Sequence, residues 1–303
     1  MSQFGASSTA EEVTTGLNLS GRTALVTGAT SGLGLETLRV LALRGAHVIA
    51  TGRTLERAAE ACAEAGAAQA STPLALDLEK WDGIVAAANA VRALGRPIDM
   101  LICNAGIMTP PELRLVNGFE QQFAINHLGH FILCHHLLDL VVAAPQGRVV
   151  VVSSQLHRQA PPNGIDFDNL DGSRGYDAGR MYGQSKLANA LFAFELARRV
   201  ASTRVTSNAL HPGVANTNLD RSNPAWRRLG ARVVGWTRPW LKSVEAAAAT
   251  QTYLATSPAL SAVTGHYFED CNPVISASPH MADAALAATL WAKSEEFTRA
   301  YLG

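Results

Sequence analysis

From residue 23 onward, short apolar runs alternate with longer segments whose apolar positions recur at helical spacing. Residues 23–26, 46–51, 73–76, 100–103, 148–152 and 204–210 read as strands. Residues 32–44, 55–65, 81–94, 119–142 and 181–200 read as helices between them. Such repetition predicts an α/β architecture, a parallel sheet with helices on both faces. The strands are apolar almost throughout, as strands buried on both sides must be. Two segments break the rhythm. Residues 160–180 are rich in Pro, Gly, Asp and Asn and read as a loop. Residues 213–242 carry Trp226, Trp236 and Trp240 among several arginines, and read as an irregular or helical cover. Residues 1–18 read as a flexible N-terminal arm, and 19–303 as one domain.

Composition narrows the partners. The chain has 303 residues, 48% hydrophobic, with a formal net charge of zero. Neutrality argues against nucleic acid and anionic membrane as main partners. No uncharged apolar stretch reaches the length of a membrane span. The longest approach, residues 128–144, contains three histidines and Asp139. The N-terminus lacks the basic-then-apolar order of a secretory signal. The four cysteines, Cys62, Cys103, Cys134 and Cys271, show no C-x-x-C spacing. Reduced thiols in a cytoplasmic protein are therefore expected.

Two motifs carry chemistry. Thr27-Gly-Ala-Thr-Ser-Gly-Leu-Gly34 follows the first strand and opens the first helix. Strand, glycine turn and helix, in that order, form a phosphate-binding context. Glycines let backbone approach a pyrophosphate, and a helix N-terminus offers free N–H groups and a positive dipole end. A dinucleotide is the expected ligand. The second motif is Tyr182-Gly-Gln-Ser-Lys186, which on a helix sets phenol and ammonium on one face. The ammonium is expected to lower the phenol pKa and ready its proton for transfer. At the end of the second strand, the position where NAD-preferring sites hold an acid carries Thr51, and Arg53 follows closely. A guanidinium suits a 2′-phosphate, and Thr30 and Ser31 could add hydroxyl bonds, so NADP is favoured over NAD.

These motifs, with Asp77, Asn104-Ala105-Gly106, Asn126, Ser154 and Pro212-Gly213 in the same order, resemble the short-chain dehydrogenase/reductase family over roughly residues 18–270. The stretches 126–131, 152–157 and 182–189 resemble its retinol-dehydrogenase and WW-domain-oxidoreductase branch. So does the 28-residue separation of Ser154 from Tyr182, about twice that of commoner members. The resemblance implies a single Rossmann-type, doubly wound sheet of about seven strands. It implies a catalytic set of Asn126, Ser154, Tyr182 and Lys186. Ser154 would hold the substrate oxygen, Lys186 would also bond the nicotinamide ribose, and Asn126 would position a water in a proton relay. The implied cofactor contacts are Gly28, Thr30, Ser31, Gly32, Leu33, Gly34, Arg53, Asp77, Leu78, Asn104, Ala105, Gly106, Tyr182, Lys186, Pro212, Gly213, Ala215 and Thr217.

Gln155, Leu156, His157 and Trp226 are expected to wall the substrate pocket. Aromatic and aliphatic walls favour an apolar or aromatic carbonyl compound or alcohol. His157 and His211 flank this region, as substrate contacts or as hydrogen-bonded loop residues. His127 and His130 have no carboxylate at ligand spacing beside them, so no metal is expected. The reading that results is a hydride-transferring oxidoreductase, with a homodimer or homotetramer as the candidate assemblies. The alternatives are an epimerase or dehydratase on the same fold, and a non-catalytic dinucleotide-binding regulator.

Overall fold

The computed structural model describes residues 2–214, 241–274 and 278–303. Its strands are β1 (Thr23–Val26), β2 (His47–Gly52), β3 (Ser71–Ala75), β4 (Met100–Cys103), β5 (Leu115–Val116), β6 (Phe119–Glu120), β7 (Arg148–Val152), β8 (Thr206–His211), β9 (Tyr267–Glu269) and β10 (Asn272–Pro273). β5 and β6 pair with each other. The other eight form one sheet in the order β10-β9-β8-β7-β4-β1-β2-β3. All pairings in it are parallel except β9 with β10. The sheet is thus the doubly wound type expected, with eight strands rather than about seven. The extra pairing comes from a short hairpin after residue 266 whose apolar run is too brief to read from periodicity.

β1, β4 and β7 are buried at every position, as helices on both faces require. On one face lie α3 (Trp81–Ala93), α5 (Gly129–Val142) and α6 (Ala178–Arg199), packed with Leu25, Leu101, Val149 and Val151. On the other lie α1 (Gly32–Leu43) and α2 (Leu55–Glu64), packed with Val26, Val48, Ile102 and Val150. Pro73 is tolerated in β3 because that strand ends the sheet.

Local chemistry moves several boundaries. Residues 119–142 are not one helix. Phe119 and Glu120 pair with β5, and the Glu120 carboxylate caps the short α4 (Gln121–Phe123) by accepting from Gln122 N and Phe123 N. A π-helical turn, Ala124–Leu128, then separates α4 from α5. α6 begins earlier than residue 181 because Asp177 caps it, accepting from Arg180 N at 2.7 Å.

The expected flexible arm is docked instead. Ser2 N donates to Asn272 Oδ1 at 2.8 Å, and Ala10 N to the Glu245 carbonyl at 2.8 Å. Phe4 meets the Tyr253 ring edge-on, with centroids 5.6 Å apart. Ala10 is buried with Leu33 and Val40. A few apolar residues in a polar arm suffice once α7 (Val244–Ala247) and α8 (Ala249–Thr256) offer them a surface.

α9 (Ala284–Thr298) closes the chain across α5 and α6. Trp291 stacks on Phe192 at 5.6 Å and meets Phe131 edge-on at 5.1 Å. The Arg199 guanidinium lies 4.3 Å from the Trp291 ring centre. His135 and His136 donate to the carbonyls of Leu302 and Tyr301. Among the described residues, no helix is long and apolar enough to cross a membrane.

Trp291→Ala removes two aromatic contacts and the cation–π contact at once. It should destabilise the fold by about 3 kcal/mol in urea denaturation. A change below about 1 kcal/mol would show that α9 contributes little to stability.

Candidate active site

The strand order reverses direction between β1 and β4, and the site is built where these two strands end. Thr27 follows β1 and Asn104 follows β4. The Thr27 hydroxyl accepts from Asn104 N and Ala105 N, each at 2.9 Å. Asn104 Nδ2 donates back to the Thr27 carbonyl at 2.8 Å. The glycine turn folds so tightly that a Cβ on Gly34 would lie 2.2 Å from the Gly28 carbonyl oxygen. Gly28 has φ +68°, which favours glycine. Ser31 precedes α1 without a side-chain cap, so the first N–H groups of that helix have no such partner. A tight, side-chain-free turn beneath uncapped N–H groups fits a pyrophosphate.

The adenosine side follows the same logic. The Thr51 hydroxyl is buried and accepts from Gly28 N at 3.3 Å, so it holds the turn. A Cβ on Gly52 would strike Thr30 Cγ2 at 2.6 Å, which brings Thr30 beside the start of the Arg53 segment. Arg53 is exposed and makes no hydrogen bond or ion pair among the described residues. Asp77 Oδ1 accepts from Glu79 N, and Leu78 is buried against Gly129. Gly106 connects this strip to the reacting groups, since a Cβ there would lie 3.1 Å from Asn126 Oδ1 and 3.4 Å from Lys186 Nζ.

The two serines after β7 have different partners. Ser153 Oγ donates to the Lys186 carbonyl at 2.7 Å, fixing α6 to the sheet. Ser154 Oγ accepts from Leu156 N at 3.2 Å and lies near enough to the Tyr182 phenol to favour its ionisation. Lys186 Nζ donates to the Val152 carbonyl at 3.1 Å and lies 5.8 Å from the Tyr182 ring centre. Asn126 sits in the π turn, a rare helical form often found at functional sites. Its Oδ1 accepts from Ile107 N, and its Nδ2 donates to the Ile107 carbonyl and to Ser185 Oγ.

Electrostatics correct one expectation. Lys186 does not lower the Tyr182 pKa in the protein alone. Burial pushes the phenol up to about 12, and the neighbouring Ser154 opposes this. Burial also draws the Lys186 ammonium down to about 8. Desolvation is the largest cause of both shifts, because both groups are buried.

On the substrate side, Gln155 is exposed and donates to Glu269 Oε2 at 3.2 Å. Leu156 is half-buried. His157 is buried and bonded to the Ser154 carbonyl at 2.6 Å, with Tyr267 OH at 3.4 Å. His211 ends β8, and burial lowers its pKa to about 4. Pro212 and Gly213 follow. Gly213 has φ +92°, and Lys242, paired with Asp270 at 2.5 Å, crosses over it. Ala215, Thr217, Trp226 and most of the expected cover lie outside the described residues.

Sequence reasoning missed Tyr267, Glu269 and Gln251. Gln251, on α8, donates to Thr37 Oγ1 at 2.6 Å and lies 3.3 Å from Asn104 Oδ1, tying the C-terminal part to the turn. No local spacing marks these residues, because each meets the site only through the fold.

The chain is similar to several known proteins. Residues 22–167 match the family model for short chain dehydrogenases. The chain is 38% identical to the chloroplastic short-chain dehydrogenase TIC 32 B of Brassica napus, covering 96% of this chain and 92% of that protein. It is 39% identical to mouse retinol dehydrogenase 14, over 91% of this chain and 85% of the relative. With the human WW domain-containing oxidoreductase, identity is 37%, over 99% and 74%. A crystal structure from Mycobacterium paratuberculosis superposes with a TM-score of 0.76 at 33% identity, covering 95% of this chain and 97% of that one. A Beutenbergia cavernae dehydrogenase holding NADP at low occupancy gives 0.65 at 27%, over 83% and 95%.

The buried ammonium has a measurable cost. Below about pH 8 it stays charged in the native state and the penalty is fully present. As pH rises from about 8 towards 10.5, the native state sheds this proton while the unfolded state keeps it, so the penalty is relieved. Lys186→Met should therefore stabilise the cofactor-free protein by about 1–3 kcal/mol at neutral pH, with a smaller gain near pH 10. Thermal denaturation across that range reads it, and a lower melting temperature at neutral pH would contradict it.

Proposed function

This chain belongs to the short-chain dehydrogenase/reductase family, in its retinol-dehydrogenase and WW-domain-oxidoreductase branch, and we propose that it is an NADP-dependent oxidoreductase interconverting a carbonyl compound and an alcohol. The observation that carries this reading is the buried Tyr182 phenol, with Ser154 and Lys186 beside it, near a glycine turn able to take a pyrophosphate. The nicotinamide, when bound, supplies or accepts the hydride.

In the reducing direction Tyr182 donates its proton to the substrate oxygen as negative charge grows there. Ser154 Oγ orients that oxygen and shares the charge. Lys186, an ammonium at neutral pH, stabilises the phenolate left behind, and the positive charge of the oxidised nicotinamide adds to this. The oxidising direction reverses each step, with the phenolate as base. Ser153 and Val152 hold α6 in register for this exchange. Asn126 positions a water of the proton relay.

The phosphate side rests on Gly28, Gly32, Leu33 and Gly34. Thr30, Ser31 and Arg53 would receive the 2′-phosphate. The exposed guanidinium supports that choice, since among the described residues it has no hydrogen bond or ion pair. Asp77 and Leu78 would meet the adenine, and Asn104, Ala105 and Gly106 the ribose. Pro212, Gly213, Ala215 and Thr217 would meet the nicotinamide end. Gln155, Leu156, His157 and Trp226 would wall an apolar or aromatic substrate. A relative named for retinol, an apolar alcohol, supports that class. Cytoplasmic residence is the simplest compartment for four free cysteines. A homodimer or homotetramer would have to form away from the part of α5 and α6 that α9 covers.

Two outcomes test this. Tyr182→Phe should abolish turnover in a screen of aldehydes, ketones and alcohols while leaving NADPH affinity within about threefold; undiminished activity would remove the mechanism. NADPH should bind at least about tenfold more tightly than NADH by fluorescence titration, and Arg53→Ala should erase the difference. Equal affinities in the unaltered protein would refute the choice of cofactor.

A further inference from the structure

His130 is buried and was singled out in the sequence only as a possible metal ligand. In the fold its two ring nitrogens reach two different parts of the site. Nδ1 is 3.0 Å from the Asn126 carbonyl, and Nε2 is 2.9 Å from Thr27 Oγ1. The protons can be assigned by counting. A carbonyl can only accept, so Nδ1 carries the hydrogen. Thr27 Oγ1 already accepts from Asn104 N and Ala105 N, which uses both its lone pairs. Its one remaining role is to donate, and Nε2 at 2.9 Å is a nearer acceptor than the Ile102 carbonyl at 3.3 Å. Nε2 is therefore bare and the imidazole neutral. Burial acts in the same direction, lowering the ring's pKa to about 4.

The path continues beyond Asn126. Asn126 Nδ2 donates to Ser185 Oγ at 3.0 Å, and Ser185 Oγ donates to the Tyr182 carbonyl at 2.9 Å. A line of hydrogen bonds, joined through the covalent frame of Asn126, thus runs from the strand end that begins the glycine turn to the backbone of the proton-donating tyrosine. Every donor and acceptor along it is defined. The line passes through the π turn, where regular helical bonding is interrupted and a side chain is free to reach a carbonyl.

We propose that His130 is a positioning residue, joining the dinucleotide-binding turn to the helix that carries Asn126 and through it to Tyr182. It touches no reacting atom. It fixes Thr27, whose hydroxyl sets the Asn104-Ala105 strip, against Asn126, whose amide sets Ser185. Displacement at one end is felt at the other because the atoms between are buried and fully bonded. The inference rests on the reading of Tyr182 as proton donor, and its test separates the two.

His130→Leu keeps the apolar volume and removes both bonds, whereas His130→Gln retains one donor and one acceptor. His130→Leu should lower kcat about ten- to a hundredfold per folded molecule, with substrate KM changed less than about threefold. His130→Gln should recover most of that loss. Thr27→Val also frees Asn104 N and Ala105 N, so adding His130→Leu to it should cost little beyond Thr27→Val alone, since the line is already cut. A folded His130→Leu protein with undiminished kcat, or losses that multiply in the double variant, would overturn the proposal. Nitrogen-15 spectra of the histidine rings provide a reading independent of turnover and folding variants. The unaltered protein should show His130 as the neutral Nδ1–H form from pH 6 to 8, about two units above its lowered pKa. An Nε2–H form or an imidazolium there would sink the proton assignment. Tyr182→Phe, run alongside, distinguishes failure of the reaction mechanism from failure of this linkage.

Discussion

An ammonium group sits inside this protein with no carboxylate paired to it among the described residues. Lys186 Nζ has the Val152 carbonyl and the face of the Tyr182 ring. Burying such a charge costs several kcal/mol unless its surroundings repay it, and a backbone carbonyl repays only part. The surroundings are accordingly well tied. Ser153 holds the Lys186 carbonyl, and Asn189 Nδ2 shares the Val152 oxygen. The cost is met by packing elsewhere in the fold, where α6 is buried along most of its length. The gain is a cation that cannot drift from the phenol it serves.

A second constraint is steric. Gly28 and Gly34 approach so closely that neither position has room for a larger side chain without moving the turn. That approach matters only because β1 and β4 are neighbours, which sets Asn104 against the same turn. Gly106 then extends the strip to Asn126 and Lys186. The proposed nucleotide side and the proposed proton-transfer side therefore adjoin along one seam, tied by hydrogen bonds at Thr27, Asn104, His130 and Asn126.

The C-terminal third of the chain reinforces the seam from outside. Gln251 reaches α1 and Asn104 from α8. Tyr267 and Glu269, the first and last residues of β9, meet the residues that follow Ser154. α9 covers α5 and α6, and His135 and His136 tie down the last carbonyls of the chain. His127 bonds Ser294 from the π turn. The histidines of this region are thus divided between fastening the C-terminal segment and holding the inner line at His130.

Much of the fold was legible from local pattern, and so were the residues proposed as the centre of the site. Apolar runs and helical spacing placed the first six parallel strands of the main sheet to within a few residues. The glycine turn and the Tyr182–Lys186 pair announced themselves because their chemistry depends on separations of a few residues along one element. What periodicity could not give were the short β9 and β10, α9, the π turn and the docking of residues 1–18. Each is stabilised by partners far away in the chain. The sign of the Tyr182 shift belongs to the same class, since desolvation depends on everything that surrounds a group and not on its neighbour four residues on. So too does His130, whose protons are dictated by a threonine on another strand. Local sequence determined which atoms could do chemistry; the tertiary structure alone decided their charge, their orientation and which of them are joined, because burial and hydrogen-bond partners are properties of the assembled chain.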